Sequence, residues 1–322
     1  MKATQGTTYR MLSSRLNDVS NDLERLRIIG ATGKKLNKPS DDPASIRPVL
    51  NTRKQLSNVD RYTETMGKSL DTMQSTDGHL EHVENIMQRA KEIMTNSING
   101  TLSTEDRTTL ADELSLLRQE LLDAANGTVD GKYLFAGYQE DSKPFIQNSG
   151  YTTLGYDPTN SNTWPVLYQG DGNATLLEIS TGETMQVNLT GNDLFLGTST
   201  WDPANPNSID AGRFDLFSEL TQAEEAIRTN DQGAMETSLD DLEGAAEQNR
   251  RLRSQLGNKA SLVETALDTQ KGVKIDLEQL LSHYEDADAI ESFNAIVQQE
   301  TALQAALSVT SKVSQLSILD YL

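Results

Sequence analysis

The apolar positions of the first thirty residues recur with the spacing of a coiled-coil seam, an apolar stripe along one helix face. Steps of three and four residues alternate here, as they do where two helices pack along their length. The positions are Tyr9, Leu12, Leu16, Val19, Leu23 and Leu26. Gly30 and Gly33 follow, and glycine is common just beyond a helix end. The pattern predicts a helix that ends near residue 33.

A turn rich in proline and aspartate comes next and predicts the start of a second helix. It contains Pro39, Asp41, Asp42 and Pro43. The Asp42 side chain can accept hydrogen bonds from the first free N–H groups of a helix, and proline suits the first helical position. An apolar pattern then continues to about Asn99, although Asp77 interrupts it. We expect one helix of more than fifty residues.

Four more helices are predicted from the same kind of pattern. One begins at Ser103 or Thr104 and ends at Asn126, and a short one runs from Phe217 to about Asn230. A long helix follows, and polar residues occupy four positions of its seam: Asn249, Arg253, Gln270 and Lys274. The last helix has apolar positions at Ile290, Phe293, Ile296, Leu303, Leu307, Val313, Leu316 and Leu319. Helices this long need partners to bury their seams.

The middle of the chain has a different character. Ten of the seventeen aromatic residues lie between Tyr133 and Trp201, where glycine is also frequent. Short apolar strands are predicted for residues 132–137 and 165–168, and a hairpin for 176–189 with its turn at Gly182. The fold class is therefore mainly α with a β-rich insert, in which helices from both termini form a long antiparallel coiled-coil-like rod.

Composition narrows the possible functions. The 322 residues carry a formal net charge of −20, which argues against nucleic-acid binding because phosphate groups require clustered positive charge. Residues 1–61 are the exception, with 12 basic and 6 acidic side chains. There is no cysteine, and neither an apolar run long enough to insert into a membrane nor a cleaved secretory signal is visible. We expect neither nucleic-acid binding nor membrane insertion.

The polar motifs favour structural roles over chemistry. His79 and His82 lie one helical turn apart and could ligate a metal, but a solvated helix surface is the preferred interpretation. The Asp41-Asp42 pair is interpreted as a helix cap and not as an acid–base pair. Lys34, Lys35 and Lys38 form a basic cluster that we expect in a solvated turn or against acidic residues. No catalytic, cofactor-binding or metal-binding residue is predicted, and no cofactor.

Four ordered segments resemble one known family, the flagellin-like hook-associated proteins at the hook–filament junction of bacterial flagella. The first segment is Asn37-Lys-Pro-Ser-Asp-Asp-Pro-Ala-Ser, and the second is Gly131-Lys-Tyr-Leu-Phe-Ala-Gly with Pro144-Phe145. The third is Tyr168-Gln-Gly-Asp with Val187-Asn-Leu-Thr-Gly, and the fourth is Asp286-Ala-Asp288 with Leu303-Gln-Ala-Ala-Leu and the ending Leu319-Asp-Tyr-Leu. Together they cover the chain from end to end. The ending Leu319-Asp-Tyr-Leu favours this family over flagellin itself, which is the alternative.

The resemblance implies a structural adaptor and no enzyme. Such a protein is exported unfolded through the flagellar type III apparatus with a cytoplasmic chaperone at its C-terminal region. It forms a ring of its own copies between the first hook-associated protein and flagellin, outside the cell. Five regions are implied: inner helices 1–40 and 285–322, two halves of the helical rod at 41–130 and 209–284, and an outer β-rich insert at 131–208.

The resemblance assigns assembly to the terminal seams. The residues expected at that interface are Tyr9, Leu12, Leu16, Val19, Leu23, Leu26, Leu303, Leu307, Val313, Leu316 and Leu319. Two other function classes remain open. The insert could bind a ligand outside the cell, or His79, His82 and scattered carboxylates could serve an enzyme.

Overall fold

The computed structural model describes the backbone of residues 2–152, 157, 160–200 and 209–319, with side chains except at 2–6, 8, 9, 161 and 313–319. The chain divides into two compact units. The terminal unit comprises residues 1–60 and 272–322, and the central unit comprises residues 61–271. Helices α2 and α6, defined below, contribute residues to both units.

The terminal unit contains the first and last helices. Helix α1 spans Lys2–Thr32 and α7 spans Ala289–Leu319. Gly33 ends α1 as predicted, because its positive φ of 68° lets its N–H reach back to the carbonyl of Ile29 at 2.8 Å. Helix α2 spans Ile46–Asn99 and α6 spans Gln232–Glu285, so both long helices expected from the apolar pattern are present.

In its described residues, the central unit adds three α-helices to its parts of α2 and α6. Helix α3 spans Thr104–Ala125, α4 spans Gly191–Phe195 and α5 spans Leu216–Thr229. Ser103 and Asp106 form a reciprocal capping box at the start of α3, as its predicted N-terminus requires. Asn230 ends α5 with a left-handed conformation, φ 53°.

Within the described residues, the strands form three antiparallel two-stranded sheets. β1 (Thr128–Val129) pairs with β2 (Lys132–Tyr133), β3 (Phe145–Gln147) with β4 (Val166–Tyr168), and β5 (Leu176–Ser180) with β6 (Glu183–Gln186). Asp130 and Gly131 both have positive φ in the first hairpin turn, which suits the twist of its strands. The strands expected at 165–168 and in the hairpin after Leu176 are present.

One predicted strand is wrong for most of its length. Residues 134–137 leave the β conformation after Tyr133, because their backbone bonds to other parts of the insert instead of to a neighbouring strand. The Phe135 carbonyl accepts hydrogen bonds from Gly191 N at 3.0 Å and from the Tyr168 hydroxyl at 2.8 Å. This irregular path lets both Phe135 and Ala136 enter the core.

Aromatic side chains from the insert share one hydrophobic core with the helices of the central unit. Phe145 is in ring contact with Tyr168, Phe195 and Phe217, with centroids 4.9–5.6 Å apart. Phe217 belongs to α5, so the insert is attached to the helices by fully buried rings. Edge-to-face and tilted ring pairs of this kind stabilise a core beyond their area burial alone. The boundaries of the five predicted regions stay predictions.

Candidate functional site

Helices α1 and α7 lie against each other within one chain. Their contact includes an ion pair of 2.7 Å between Arg27 and Glu300 and a hydrogen bond of 3.4 Å from Gln299 Nε2 to the Val19 carbonyl. Gly30 lies so close to α7 that a Cβ there would stand 2.9 Å from Ile296 Cδ1. A bare backbone at residue 30 therefore permits the close approach of the two helices.

The predicted interface residues of α1 line this intrachain contact. Leu23 is 4% exposed, and the side chains of Leu12, Leu16, Val19 and Leu26 are half-buried. On α7, Leu303 is half-buried, whereas Leu307 is 52% exposed. The side chains of Tyr9, Val313, Leu316 and Leu319 lie outside the described part of the structure. The assignment of this set to an assembly interface stays a prediction.

The apolar residues of α7 divide between two faces, which the sequence pattern treated as one. Ile296 and Leu303 belong to the face turned towards α1. Ile290, Phe293 and Val297 follow each other at steps of three and four residues and are 75%, 61% and 61% exposed. We call these three residues the outer stripe. Periodicity missed the division because helix α7 is apolar around much of its circumference.

A buried carboxylate joins the two ends of the terminal unit where α6 gives way to α7. Glu285 is 1% exposed, and its oxygens lie 2.8 Å from Lys34 Nζ and 2.6 Å from Arg53 Nη2. Backbone bonds reinforce the junction, because Lys35 N donates to the Glu285 carbonyl at 2.7 Å and Ala287 N donates to the Gly33 carbonyl at 2.9 Å.

This junction explains part of the basic excess near the N-terminus. Lys34 bonds Glu285, and Lys35 Nζ donates to the His283 carbonyl at 2.8 Å. The expectation that the basic cluster meets acidic residues therefore holds for Lys34. Sequence reasoning did not single out Glu285, although the opposite charges of residues 1–61 and of the rest of the chain pointed to such a contact.

The turn before α2 is held by its two aspartates. Asp41 Oδ2 accepts the N–H groups of Lys38 at 2.7 Å and Asn37 at 3.0 Å, and these bonds lower the pKa of Asp41. Asp42 accepts the Ser45 hydroxyl at 2.5 Å and the N–H of Ala44 at 3.0 Å, which lowers its pKa as well. Pro39 and Pro43 are exposed in this turn. Both carboxylates therefore act as backbone acceptors.

Regular helix begins a few residues later than the sequence suggested, at Ile46 instead of Pro43. The first backbone bonds of the turn are those from Ile46 N to the Asp42 carbonyl and from Val49 N to the Ser45 carbonyl. Pro48 lies between them and has no N–H to donate, so this first turn is incomplete.

The two histidines at residues 79 and 82 have separate environments. The His79 ring packs over Gly127 and edge-on to Phe135, with centroids 6.4 Å apart, and burial lowers the pKa of His79. His82 Nε2 lies 3.2 Å from Glu120 on α3. Within the described residues, no group of three or more His, Cys, Asp or Glu side chains could hold a metal ion.

The same part of the chain has no helix long and apolar enough to cross a bilayer.

The amino-acid sequence is similar to those of known flagellar proteins. Residues 2–140 match the family of the bacterial flagellin N-terminal helical region. Flagellar hook-associated protein 3 of Escherichia coli strain K12 is 27% identical over 331 residues, covering 97% of this chain and 98% of the relative. Polar flagellin F of Vibrio parahaemolyticus is 31% identical, but over 38% of this chain and 31% of the flagellin.

A solved structure shows that the fold is shared. FlgL of Xanthomonas campestris superposes with a TM-score of 0.57 at 20% identity, covering 72% of this chain and 99% of that protein. The mainly helical, flagellin-like fold predicted from the sequence is confirmed. Over 97% of its length the chain is homologous to flagellar hook-associated protein 3, and it is a structural component of the bacterial flagellum.

Proposed function

We propose that this chain joins the flagellar hook to the filament as a ring of its own copies, and that the outer stripe of α7 forms the contact between subunits. The single observation that carries the assembly step is the exposure of three large apolar side chains on α7, those of Ile290, Phe293 and Val297. Large apolar side chains at helical spacing favour burial against another surface. A neighbouring subunit can supply that surface.

The terminal seams then divide into two roles. Leu12, Leu16, Val19, Leu23, Leu26 and Leu303 hold α1 and α7 together within one subunit, which gives the outer stripe a rigid backbone. Leu307, at 52% exposure, is available to a neighbour with the outer stripe. Support for this division comes from the partial or full burial of the first group and the exposure of Leu307 and the outer stripe.

The proposed partners come from the resemblance to the hook-associated proteins. We assign the first hook-associated protein to the hook side of the ring, flagellin to the filament side, and a cytoplasmic export chaperone to the C-terminal region. An apolar stripe that is exposed before assembly would otherwise promote aggregation, which gives the chaperone a physical purpose. The proposal gives the chain a structural role with no catalysis and no cofactor.

The experiment that tests the proposal is complementation of a strain from which the gene is deleted. The plasmids carry the wild-type sequence, Phe293→Asp, or the matched control Gln298→Asp, which places the same charge at an exposed polar position of α7. Cells are viewed by negative-stain electron microscopy, and flagellin is measured in the medium. We expect filaments with the wild type and the control, and bare hooks with shed flagellin for Phe293→Asp.

The deletion strain separates the junction role from the flagellin alternative. That alternative has less support, because polar flagellin F is similar over 38% of this chain and flagellar hook-associated protein 3 over 97%. Bare hooks with flagellin in the medium support the junction role. Bare hooks without secreted flagellin would identify the chain as the filament subunit. Normal filaments in the deletion strain would overturn both, and normal filaments with Phe293→Asp would overturn the outer stripe as the contact.

A further inference from the structure

Two Asn-Gly-Thr segments of this chain occupy different environments. Asn99-Gly100-Thr101 follows α2, and Asn126-Gly127-Thr128 follows α3. Asparagine before glycine is chemically labile, because a glycine N–H meets little steric hindrance when it attacks the preceding side chain. Because the two tripeptides are identical, they allow a comparison of how their structural settings affect reactivity in the folded protein.

Asn99 is in the more open of the two settings. It is the last residue of α2, and both Asn99 and Gly100 are exposed. Its Nδ2 donates a hydrogen bond of 2.9 Å to the carbonyl of Thr95, one turn earlier on a solvent-facing side of the helix. Residues 101–103 then continue without regular structure to the start of α3. Terminal helical turns of this kind open at low free-energy cost.

Asn126 is fixed at both ends of its amide. Nδ2 donates to the carbonyls of Leu122 at 2.8 Å and Phe145 at 3.0 Å, and Oδ1 accepts the N–H of Phe145 at 3.0 Å. Gly127 is also held, because its N–H donates to the Ala124 carbonyl at 3.0 Å. The His79 ring covers it so closely that a Cβ would stand 2.5 Å from a ring carbon.

We propose that Asn99 is a site of spontaneous covalent modification, at which the folded protein converts asparagine to aspartate and isoaspartate while Asn126 stays intact. The backbone nitrogen of Gly100 loses its proton to solvent base and bonds to Asn99 Cγ, and the Cγ–Nδ2 bond breaks to release ammonia. Water then opens the five-membered succinimide at either carbonyl, which gives aspartate or isoaspartate. The reaction consumes one water molecule and requires no oxidant or cofactor.

The product places a negative charge at the C-terminal end of α2, where it is unfavourable. A carboxylate at residue 99 replaces a hydrogen-bond donor next to the Thr95 carbonyl, and it stands at the negative end of the helix dipole. The last turn of α2 should therefore loosen as the protein ages. A flagellar subunit that remains outside the cell after assembly would accumulate the change.

The test compares both peptides in one sample. Purified full-length protein is incubated at mildly alkaline pH, either folded or in concentrated urea, and digested at intervals. Mass spectrometry follows the small mass increase that replacement of the amide nitrogen by oxygen produces, and chromatography separates the isoaspartate form. In the folded protein we expect conversion of Asn99 to be more than about tenfold faster than that of Asn126, because Asn126 must first lose three hydrogen bonds. In urea the two rates should be similar.

Two further measurements decide the outcome. Asn99→Gln should remove the modified peptide from the folded sample, since a glutamine side chain closes the corresponding ring far more slowly. Equal conversion of Asn99 and Asn126 in the folded protein would overturn the proposal, and so would an unmodified Asn99 in folded protein that converts in urea. A similar preference for Asn99 in urea would also overturn it, because sequence and not structure would then cause the difference.

Discussion

Arg253 and Asp77 form a two-pronged ion pair between α6 and α2. Arg253 Nε donates to Asp77 Oδ1 at 2.7 Å and Nη2 donates to Oδ2 at 3.0 Å, while Nη2 also reaches Glu81 at 3.0 Å. The Asp77 carboxylate raises the pKa of Arg253. Asp77 is a polar residue in the apolar seam of α2, and Arg253 is one in the seam of α6. Because these two side chains bond each other, they fix the register of the two helices.

Removing this pair should cost little stability but should reveal a measurable coupling. Both side chains are about a third or more exposed, so solvent screens the pair and we expect a coupling of about 0.5–1 kcal/mol. A double-mutant cycle with Arg253→Gln and Asp77→Asn, measured by guanidinium unfolding, gives the coupling free energy of the pair. Arg253→Lys should lose most of it, because an ammonium group cannot make both bonds.

The exposed pair of Lys271 and Asp268, within a single helix, serves as the control cycle. Its coupling should be smaller, about 0.3 kcal/mol. Equal couplings for the two pairs would mean that the contact between helices adds nothing beyond a surface ion pair.

The seams illustrate what the sequence could predict and what it could not. Periodicity located α2 and α6 and marked Asp77, Asn249 and Arg253 as polar interruptions. It could not show that Arg253 faces Asp77, or that the fully buried Asn249 donates to the Leu80 carbonyl at 2.9 Å, because a repeat within one helix does not identify its partner.

The candidate site was harder to predict than the fold. The outer stripe and Glu285 depend on which face of α7 meets α1 and on where α6 ends, and both are properties of tertiary packing. The charge asymmetry of the chain was the available signal for the contacts of Glu285, but it could not indicate which of many carboxylates would be buried.

Two buried carboxyls should make the central unit less stable as the pH rises. Burial raises the pKa of Asp215 from 3.8 to about 6, although Ser218 and Phe217 hydrogen-bond to it. Burial, with repulsion from Asp241 and Asp215, raises the pKa of Glu219 from 4.5 to about 8. Both groups bind their protons more tightly in the folded state. Their stabilisation is therefore complete below the unfolded pKa values and is lost as the pH rises through the folded ones.

Unfolding curves between pH 5 and 9 measure this dependence, with tryptophan fluorescence, to which buried Trp164 contributes, as the signal. We expect a loss on the order of a few kcal/mol across the range. Glu219→Gln should flatten the alkaline part of the curve, whereas Glu225→Gln, at an exposed position of the same helix, should leave it unchanged. A wild-type curve that rises over this range would contradict the assigned burial.

The junction at Glu285 should respond differently when its acid or its bases are removed. Glu285 is buried, but Lys34 and Arg53 are about half exposed. Replacing both cations by methionine leaves an uncompensated buried carboxylate, and we expect a loss of about 3 kcal/mol. Glu285→Gln leaves two cations that water can solvate, so its cost should be about 1 kcal/mol.

Hydrogen exchange of amides in α7 and at the end of α6 measures the stability of the terminal unit. The triple variant, with both methionines and Glu285→Gln, should recover most of the loss seen in the double variant. Glu278→Gln, at a position about half exposed, is the control. If the triple variant is as unstable as the double one, packing and not the buried charge is responsible.

Gln248 should be among the most sensitive polar positions of the central unit. It is 1% exposed on α6, where Oε1 accepts the Phe214 N–H at 3.0 Å and Nε2 donates to the carbonyls of Phe214 at 3.0 Å and Leu194 at 3.1 Å. One amide thus fastens α4 and the segment before α5 to the long helix. Gln248→Leu would remove all three bonds, one to the buried Leu194 carbonyl and two to partly buried groups of Phe214, which should cost about 2–4 kcal/mol.

Trp164 fluorescence during guanidinium unfolding measures the loss, and Gln255→Leu at an exposed position of α6 controls for the change in composition. Gln248→Glu separates shape from hydrogen bonding, because the carboxylate can still accept from Phe214 N but cannot donate to either carbonyl. It should be at least as unstable as Gln248→Leu at neutral pH and should recover on acidification. If Gln248→Leu unfolds at the wild-type midpoint, the amide does not hold the insert to α6.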